Sequence, residues 1–160
     1  MYVGKGGNDK VTAGNGNYII CTGAGNDAIT VGNGLVVINA GNGNNIVVVG
    51  DGTGFITTGS GNDAIVVGNG ARTINAGGGN NTVTTGSGDQ NVTTGSGNDK
   101  ITTGSGNDTI SAGGGNNVVK SNAGADSISA GAGNDNFNAG SGIDTCNAGG
   151  GINTTTSCEL

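Results

Sequence analysis

Eight of the ten aspartates in this 160-residue chain lie at residue numbers that are multiples of nine. Carboxylates at a fixed spacing could act as acid–base pairs or could ligate cations. A spacing that is kept along the whole chain favours cation ligation, and the net charge of −6 also makes cations the natural partners. The eight residues are Asp9, Asp27, Asp63, Asp99, Asp108, Asp126, Asp135 and Asp144.

The rest of the composition excludes several function classes. The chain has no histidine, which rules out Ser-His-Asp and Cys-His catalysis and histidine-bound zinc. We therefore predict that the protein is not an enzyme. The negative net charge argues against binding to nucleic acid or anionic lipid. No apolar run exceeds a few residues, so we expect no transmembrane helix and no membrane insertion.

The aspartates belong to a nine-residue repeat that runs without insertion or deletion through 17 units, from residue 4 to residue 156. We number the positions of each unit 1 to 9, so that the segment TGSGNDKIT, residues 94–102, is one unit and Asp99 is its position 6. Position 4 is glycine in all 17 units, and position 2 is glycine in all but two, which have Lys5 and Asn122. We predict a single domain over residues 1–160, with 157–160 as a C-terminal cap.

The repeat predicts an all-β fold. Glycines at positions 2 and 4 can take positive φ in a tight turn, and the valine or isoleucine at position 8 of 14 units suits a short strand. Two units then close one flattened coil of 18 residues, whose strands stack in parallel on the next coil. The predicted architecture is a two-walled parallel β-solenoid with one inward apolar residue per unit, at position 8.

These units resemble the calcium-binding nonapeptide repeats of the RTX (repeats-in-toxin) family, with the pattern G-G-x-G-x-D-x-U-x. The resemblance covers 153 of the 160 residues. It implies a calcium-loaded β-roll that is secreted or displayed at the cell surface. In that family the repeats accompany toxins, enzymes and adhesins whose other activities lie elsewhere.

Because two units make one coil, odd and even units form separate columns of turns on opposite edges of the solenoid, here called the odd column and the even column. Position 6 of the odd column alternates between aspartate and asparagine, whereas the even column has Tyr18, Val36, Gly54, Arg72 and Gln90 before its first aspartate. We expect several Ca²⁺ ions, bound by side-chain oxygens at position 6 and turn carbonyls. The strongest sites should lie between Asp108 and Asp126 and between Asp126 and Asp144, with Asp9 and Asp27 forming a third. Stacked asparagines could also form metal-free hydrogen-bond ladders. The candidate ligands are Asp9, Asp27, Asn45, Asp63, Asn81, Asp99, Asp108, Asn117, Asp126, Asp135 and Asp144.

The three cysteines permit one disulfide and one free thiol. Cys146 occupies position 8 where the repeat fades, and Cys158 follows closely enough to bridge it. We predict this disulfide across the last coil, with Cys21 free, in an oxidising extracellular setting. The N-terminal residues 1–3 run directly into the first unit, so that end could meet another domain or subunit.

Apolar residues also occupy positions that should face outward in the N-terminal half. Ile19, Val37 and Phe55 belong to successive even units and should form a stripe, with Tyr18, Leu35 and Val36 at its edge. Such a patch usually marks an interface. We expect a homo-oligomer, a filament or a contact with another surface protein.

Three function classes are compatible with these features. The leading hypothesis is a calcium-binding structural or adhesive module that self-associates. A second is binding of ice or another ordered surface by the threonine, serine and asparagine wall of the C-terminal half. A third is an accessory repeat domain of a secreted enzyme or toxin.

Overall fold

The computed structural model of the protein describes residues 1–4 and 6–159. Lys5, an exception at position 2, and Leu160, the end of the predicted cap, lie outside the described residues. Each repeat unit contributes one short strand, and one further strand precedes the first unit. The strands are β1 (Tyr2–Val3), β2 (Lys10–Ala13), β3 (Tyr18–Cys21), β4 (Ala28–Val31), β5 (Val36–Asn39), β6 (Ile46–Val49), β7 (Gly54–Thr57), β8 (Ala64–Val67), β9 (Arg72–Gly77), β10 (Thr82–Thr85), β11 (Asn91–Thr94), β12 (Lys100–Thr102), β13 (Thr109–Ser111), β14 (Val118–Lys120), β15 (Ser127–Ser129), β16 (Asn136–Asn138), β17 (Thr145–Asn147) and β18 (Thr154–Thr156).

The strands form two parallel nine-stranded sheets. One sheet contains β1 and the strands of the even units, and we call it the even wall; the strands of the odd units form the odd wall. Val83 pairs with both Ile65 and Ile101, 18 residues away on either side. The predicted two-walled solenoid with 18 residues per coil is therefore confirmed.

Three positions of each unit face the interior, not one as predicted. Side chains alternate inward and outward along a strand, and here the alternation extends from position 6 through position 8 to position 1 of the next unit. In one such stretch Asp63, Ile65 and Val67 are buried, while Ala64 is half-buried and Val66 exposed. The wider core explains how a chain with few large side chains stays packed.

Because of the same alternation, one residue that was predicted to lie at the surface is buried instead. Val36 was expected at the edge of the apolar stripe, but it occupies position 6 and is fully buried in the core. Tyr18, at position 6 of the first even unit, is half-buried against the core. The position-6 side chains of the even column therefore serve the interior and not a surface.

Glycine at position 4 is required by the turn. Every position-4 glycine has positive φ, from 97° at Gly7 to 151° at Gly133. An added Cβ at Gly61 would collide with the carbonyl oxygen of Gly43 in the preceding coil. The coils can stack this closely only where no side chain intervenes.

The last coil is tied by the predicted disulfide between Cys146 and Cys158, while Cys21 is a free, half-buried thiol. Beside the disulfide, a carboxylate oxygen of Glu159 accepts a hydrogen bond of 2.6 Å from the backbone N–H of Asp144. The N–H of Glu159 donates in return to the carbonyl oxygen of Asp144 at 2.8 Å. Within residues 1–4 and 6–159 no helix has the length and hydrophobicity needed to cross a membrane.

Candidate metal-binding turns

Two hydrogen-bond ladders of opposite direction hold the turns of the odd column in register. At position 5, each asparagine accepts a hydrogen bond from the backbone N–H of the next coil, as Asn80 does from Asn98 at 2.7 Å. At position 6, each side-chain oxygen Oδ1 accepts from the backbone N–H of the preceding coil, as Asp99 does from Asn81 at 2.7 Å. These bonds fix the position-6 side chains so that their second terminal atom points into the turn.

Aspartate at position 6 leaves that second atom without a partner. All eight repeat aspartates have a buried Oδ2 that forms no hydrogen bond with the described part of the protein. A buried, unpaired carboxylate oxygen is energetically costly, so it calls for a proton or a cation. The eight turns with this feature, here called the Asp turns, contain Asp9, Asp27, Asp63, Asp99, Asp108, Asp126, Asp135 and Asp144.

Asparagine at position 6 fills the turn with its own amide. The Nδ2 of Asn81 donates to the carbonyl oxygens of Gly77 and Gly79, at 3.2 and 3.0 Å, which are positions 2 and 4 of the same unit. Asn45 and Asn117 make the same pair of bonds. We call these three the Asn turns. In all three, Oδ1 accepts the ladder hydrogen bond from the preceding coil.

The Asn turns differ from the sequence-based expectation that Asn45, Asn81 and Asn117 are calcium ligands. A ligand must offer the ion an oxygen with a free lone pair facing the site, but here the atom facing the turn is an N–H donor. In this structure the amide Nδ2 of each Asn turn therefore occupies the interior of the turn, where the Asp turns have an unpaired oxygen.

The Asp turns fit a hard cation such as Ca²⁺, which binds six to eight oxygens. Each supplies a buried Oδ2, and the carbonyl oxygens of Gly61 and Gly97, at position 4 of two Asp turns, accept no hydrogen bond from any described residue. The described residues contain no cluster of three or more His, Cys, Asp or Glu side chains that could hold a metal. Most ligands would therefore be main-chain carbonyls and water, which suits calcium better than zinc.

The even column divides into two parts. Arg72 and Gln90, both 2% exposed, point inward and donate to turn carbonyls. Arg72 bonds the oxygens of Gly50 and Thr53, at 2.7 and 3.4 Å. From the next coil onward the column is acidic: Asp108, Asp126 and Asp144 are buried, and each accepts the ladder hydrogen bond from the coil before it.

Burial shifts the protonation of several of these carboxyl groups. Desolvation raises the pKa of Asp63 and Asp99 above the ordinary value, against the opposing effect of their hydrogen bonds. The pKa of Asp108 rises to about 6, mainly through desolvation, with a smaller contribution from the negative charge of Asp126. Desolvation lowers the pKa of Arg72. In the turns of Asp63, Asp99 and Asp108, desolvation therefore disfavours the carboxylate charge, which a bound cation would neutralise.

The predicted aspartates are thus brought into two columns, one on each edge. Asp9, in the first coil, is only half-buried, and its Oδ1 accepts a hydrogen bond of 3.2 Å from the Tyr2 hydroxyl. Asn122, in the turn of Asp126, takes φ of 72° in place of the usual glycine and donates through Nδ2 to the carbonyl oxygen of Thr103. The substitution therefore leaves the Asp126 turn intact.

Two functional features were missed from the sequence. The eight bonds of the position-5 ladder join the nine odd units, and its signal was the asparagine found in the first eight of them: Asn8, Asn26, Asn44, Asn62, Asn80, Asn98, Asn116 and Asn134. Glu159 was also missed. It follows the last repeat with a spacing of 15 residues from Asp144, so the nine-residue period does not point to it.

Comparison with known families agrees with this reading of the turns. The family described as "RTX calcium-binding nonapeptide repeat (4 copies)" matches residues 2–29, 22–56, 57–89, 84–119, 113–146 and 121–154. These matches together span residues 2–154. No curated protein and no solved structure matches the chain.

Proposed function

Because the chain belongs to the family of RTX calcium-binding nonapeptide repeats, we propose that it is a calcium-stabilised structural or adhesive module of a secreted or cell-surface protein, which associates with a second copy of itself. The single observation that carries the calcium part is the orphaned, buried Oδ2 in all eight Asp turns. The disulfide between Cys146 and Cys158 supports an oxidising compartment.

An apolar stripe on the even wall supports the self-association. Ile19 pairs with Val37, and Val37 pairs with Phe55, so the three side chains lie side by side on successive strands. Ile19 is 51% exposed and Phe55 58%. Leu35, also exposed, lies between two shallow hollows of about 270 and 260 Å³ that flank the stripe. A continuous apolar surface of this kind is uncommon on a soluble monomer.

A second copy of the chain is the proposed occupant of the stripe. Copies paired through the same stripe would bury equivalent residues on both sides, as two-fold symmetric interfaces do. Ile19, Val37 and Phe55 are themselves uncharged, and one acidic side chain, Asp89, lines the hollow beside Phe55.

Sedimentation velocity in calcium tests this part of the proposal. Wild type should sediment faster than a Val37→Lys, Phe55→Lys variant. The matched control places two lysines further along the same row of the even wall, at Thr109 and Ser127, which are exposed, polar and outside both hollows. The control should behave as wild type. If all three run as monomers, self-association is wrong.

A monomeric result would favour the second candidate function. Beyond Phe55 the same row continues in register as Thr73, Asn91, Thr109, Ser127 and Thr145, all of them exposed. This row of hydroxyl and amide groups is the observation that supports binding to ice or another ordered surface. An assay of ice growth with the monomeric protein would then decide between surface binding and a purely structural role.

A further inference from the structure

Most turns of the described solenoid fall into two chemical classes; the turns of Tyr18, Val36 and Gly54 belong to neither, because position 6 there has no carboxylate and no nitrogen donor. In the Asp turns a buried oxygen lacks a partner, whereas in other turns a nitrogen on the position-6 side chain donates to the turn carbonyls. The two classes share the Oδ1 ladder bond in the odd column, as Asp63 and Asn81 show. They therefore differ in the interior of the turn and not in how the coils are connected.

In the odd column, the backbone at position 2 and the residue type at position 1 also differ between several of the Asp turns and the Asn turns. In the Asn turns position 2 has left-handed φ, of 73° at Gly41 and 70° at Gly77. Among the Asp turns of the odd column, Gly59 and Gly95 do not have positive φ, but Gly23 in the Asp27 turn does, at 98°. This conformation allows the position-2 carbonyl of an Asn turn to accept the Nδ2 hydrogen bond. Position 1 is alanine in all three Asn turns and threonine in those of Asp27, Asp63 and Asp99, although the Asp135 turn also has an alanine, Ala130. The feature that all three Asn turns share is the pair of Nδ2 hydrogen bonds, which satisfies the turn from within.

In the even column, two longer side chains at position 6, those of Arg72 and Gln90, also donate hydrogen bonds to turn carbonyls. Arg72 reaches the carbonyls of the preceding even turn, at Gly50 and Thr53. The Nε2 of Gln90 donates to Gly70 and Gly88, which are the position-4 carbonyls of two successive even turns. The Oε1 of Gln90 and the Nε of Arg72 are buried without a partner among the described residues, so these two turns are satisfied only in part. Arg72 also brings a positive charge, so it supplies both the donors and the charge that a bound cation would supply.

We propose that Asn45, Asn81, Asn117, Arg72 and Gln90 are built-in replacements for calcium, so that the ion binds at the Asp turns alone. This inference rests on the proposed calcium function. The need for metal then differs along the solenoid. On the even edge, no turn from the first coil to Gln90 needs a metal. Beyond Gln90, Asp turns lie on both edges, so both edges depend on it. Removal of calcium should therefore loosen the C-terminal half of the solenoid before the N-terminal half.

Exchanging the two classes tests the proposal. Asp63→Asn should bind one calcium ion fewer per chain than wild type and should melt at a higher temperature in EDTA, since the new amide can satisfy the turn. Asn81→Asp should bind one ion more and melt at a lower temperature in EDTA, because it creates an orphaned carboxylate. The readouts are bound calcium after gel filtration and the Tm with and without EDTA.

A matched control and an independent variant keep the test decisive. Asn80→Asp makes the same chemical change at the neighbouring position 5, where the side chain is exposed and its oxygen accepts the ladder hydrogen bond from Asn98, and should leave the ion count unchanged. Arg72→Leu removes the donors of one even turn, so it should lower the Tm equally in calcium and in EDTA, again with an unchanged ion count.

The outcomes separate this proposal from the proposed function. If wild type binds no calcium, the proposed function itself is wrong. If wild type binds calcium but neither Asp63→Asn nor Asn81→Asp changes the ion count, only the replacement proposal is overturned. Should Asn81→Asp fail to fold even in calcium, an unchanged ion count in Asp63→Asn, or a loss of bound calcium in Arg72→Leu, would still overturn it.

Discussion

The backbone N–H of Asp63 donates a hydrogen bond of 3.0 Å to Oδ1 of Asn81, 18 residues further along the chain. Asp63 in turn accepts through its own Oδ1 from the N–H of Asn45, at 2.7 Å. Aspartate and asparagine at position 6 therefore make the same hydrogen bond between neighbouring coils. Their difference appears only inside the turn, where one presents an unpaired oxygen and the other an N–H donor.

The calcium-free protein should lose stability as the pH rises. The native pKa of Asp108 is about 6, above its ordinary value of 3.8, so between these values the folded state keeps a proton that the unfolded state has lost. That contribution is present at acid pH and disappears as the pH rises through about 6. In EDTA the Tm should be higher at about pH 5 than at about pH 7.5.

The control for this pH dependence is Asp108→Asn, which removes the titrating group. In EDTA its Tm should fall less between the two pH values than the Tm of wild type. An equal fall in both proteins would assign the effect to other groups.

Reduction should destabilise the last coil. The bridge between Cys146 and Cys158 closes a segment with a sequence separation of 12, for which loop entropy predicts about 3 kcal/mol. Hydrogen exchange of β17 and β18 should accelerate with reductant, whereas a Cys21→Ser variant should exchange as wild type does. Three alkylatable thiols in the unreduced protein would contradict the assignment.

The nonapeptide pattern was sufficient for the coil length and the two walls, because both depend on the period alone. The cysteine pairing was predicted from the closeness of Cys146 and Cys158 in the sequence at the end of the repeat. The pattern was insufficient to predict whether the position-6 side chain faces inward or outward. A three-residue strand centred on position 8 leaves position 6 in the turn, outside the alternation of the strand. Val36 was therefore placed on the surface although it is buried. Asn81 was grouped with the aspartates because both residue types can offer an oxygen ligand, and only the hydrogen bonds of the turn show which atom faces inward.

The position-5 ladder should stabilise the protein independently of calcium. Asn98→Ala removes the acceptor of a 2.7 Å hydrogen bond from the backbone N–H of Asn116. The expected cost is about 0.5–1.5 kcal/mol, the same in calcium and in EDTA. Ser96→Ala, an exposed change in the same turn, is the control and should have no effect. A cost that appeared only in EDTA would mean that the ladder and the metal act on the same turn.

The central claim is that calcium in the Asp turns holds the solenoid together, and it is tested most directly by the Tm and far-ultraviolet circular dichroism of wild type in calcium, in magnesium and in EDTA. An ion that binds only the folded state stabilises it by about 2.7 kcal/mol at a concentration of 100 times its Kd. We expect the Tm to be highest in calcium, by at least about 5 °C over EDTA, with part of the β-signal lost in EDTA. Magnesium, which demands octahedral geometry, should restore little of either. An unchanged spectrum and an unchanged Tm after thorough chelation would contradict the claim.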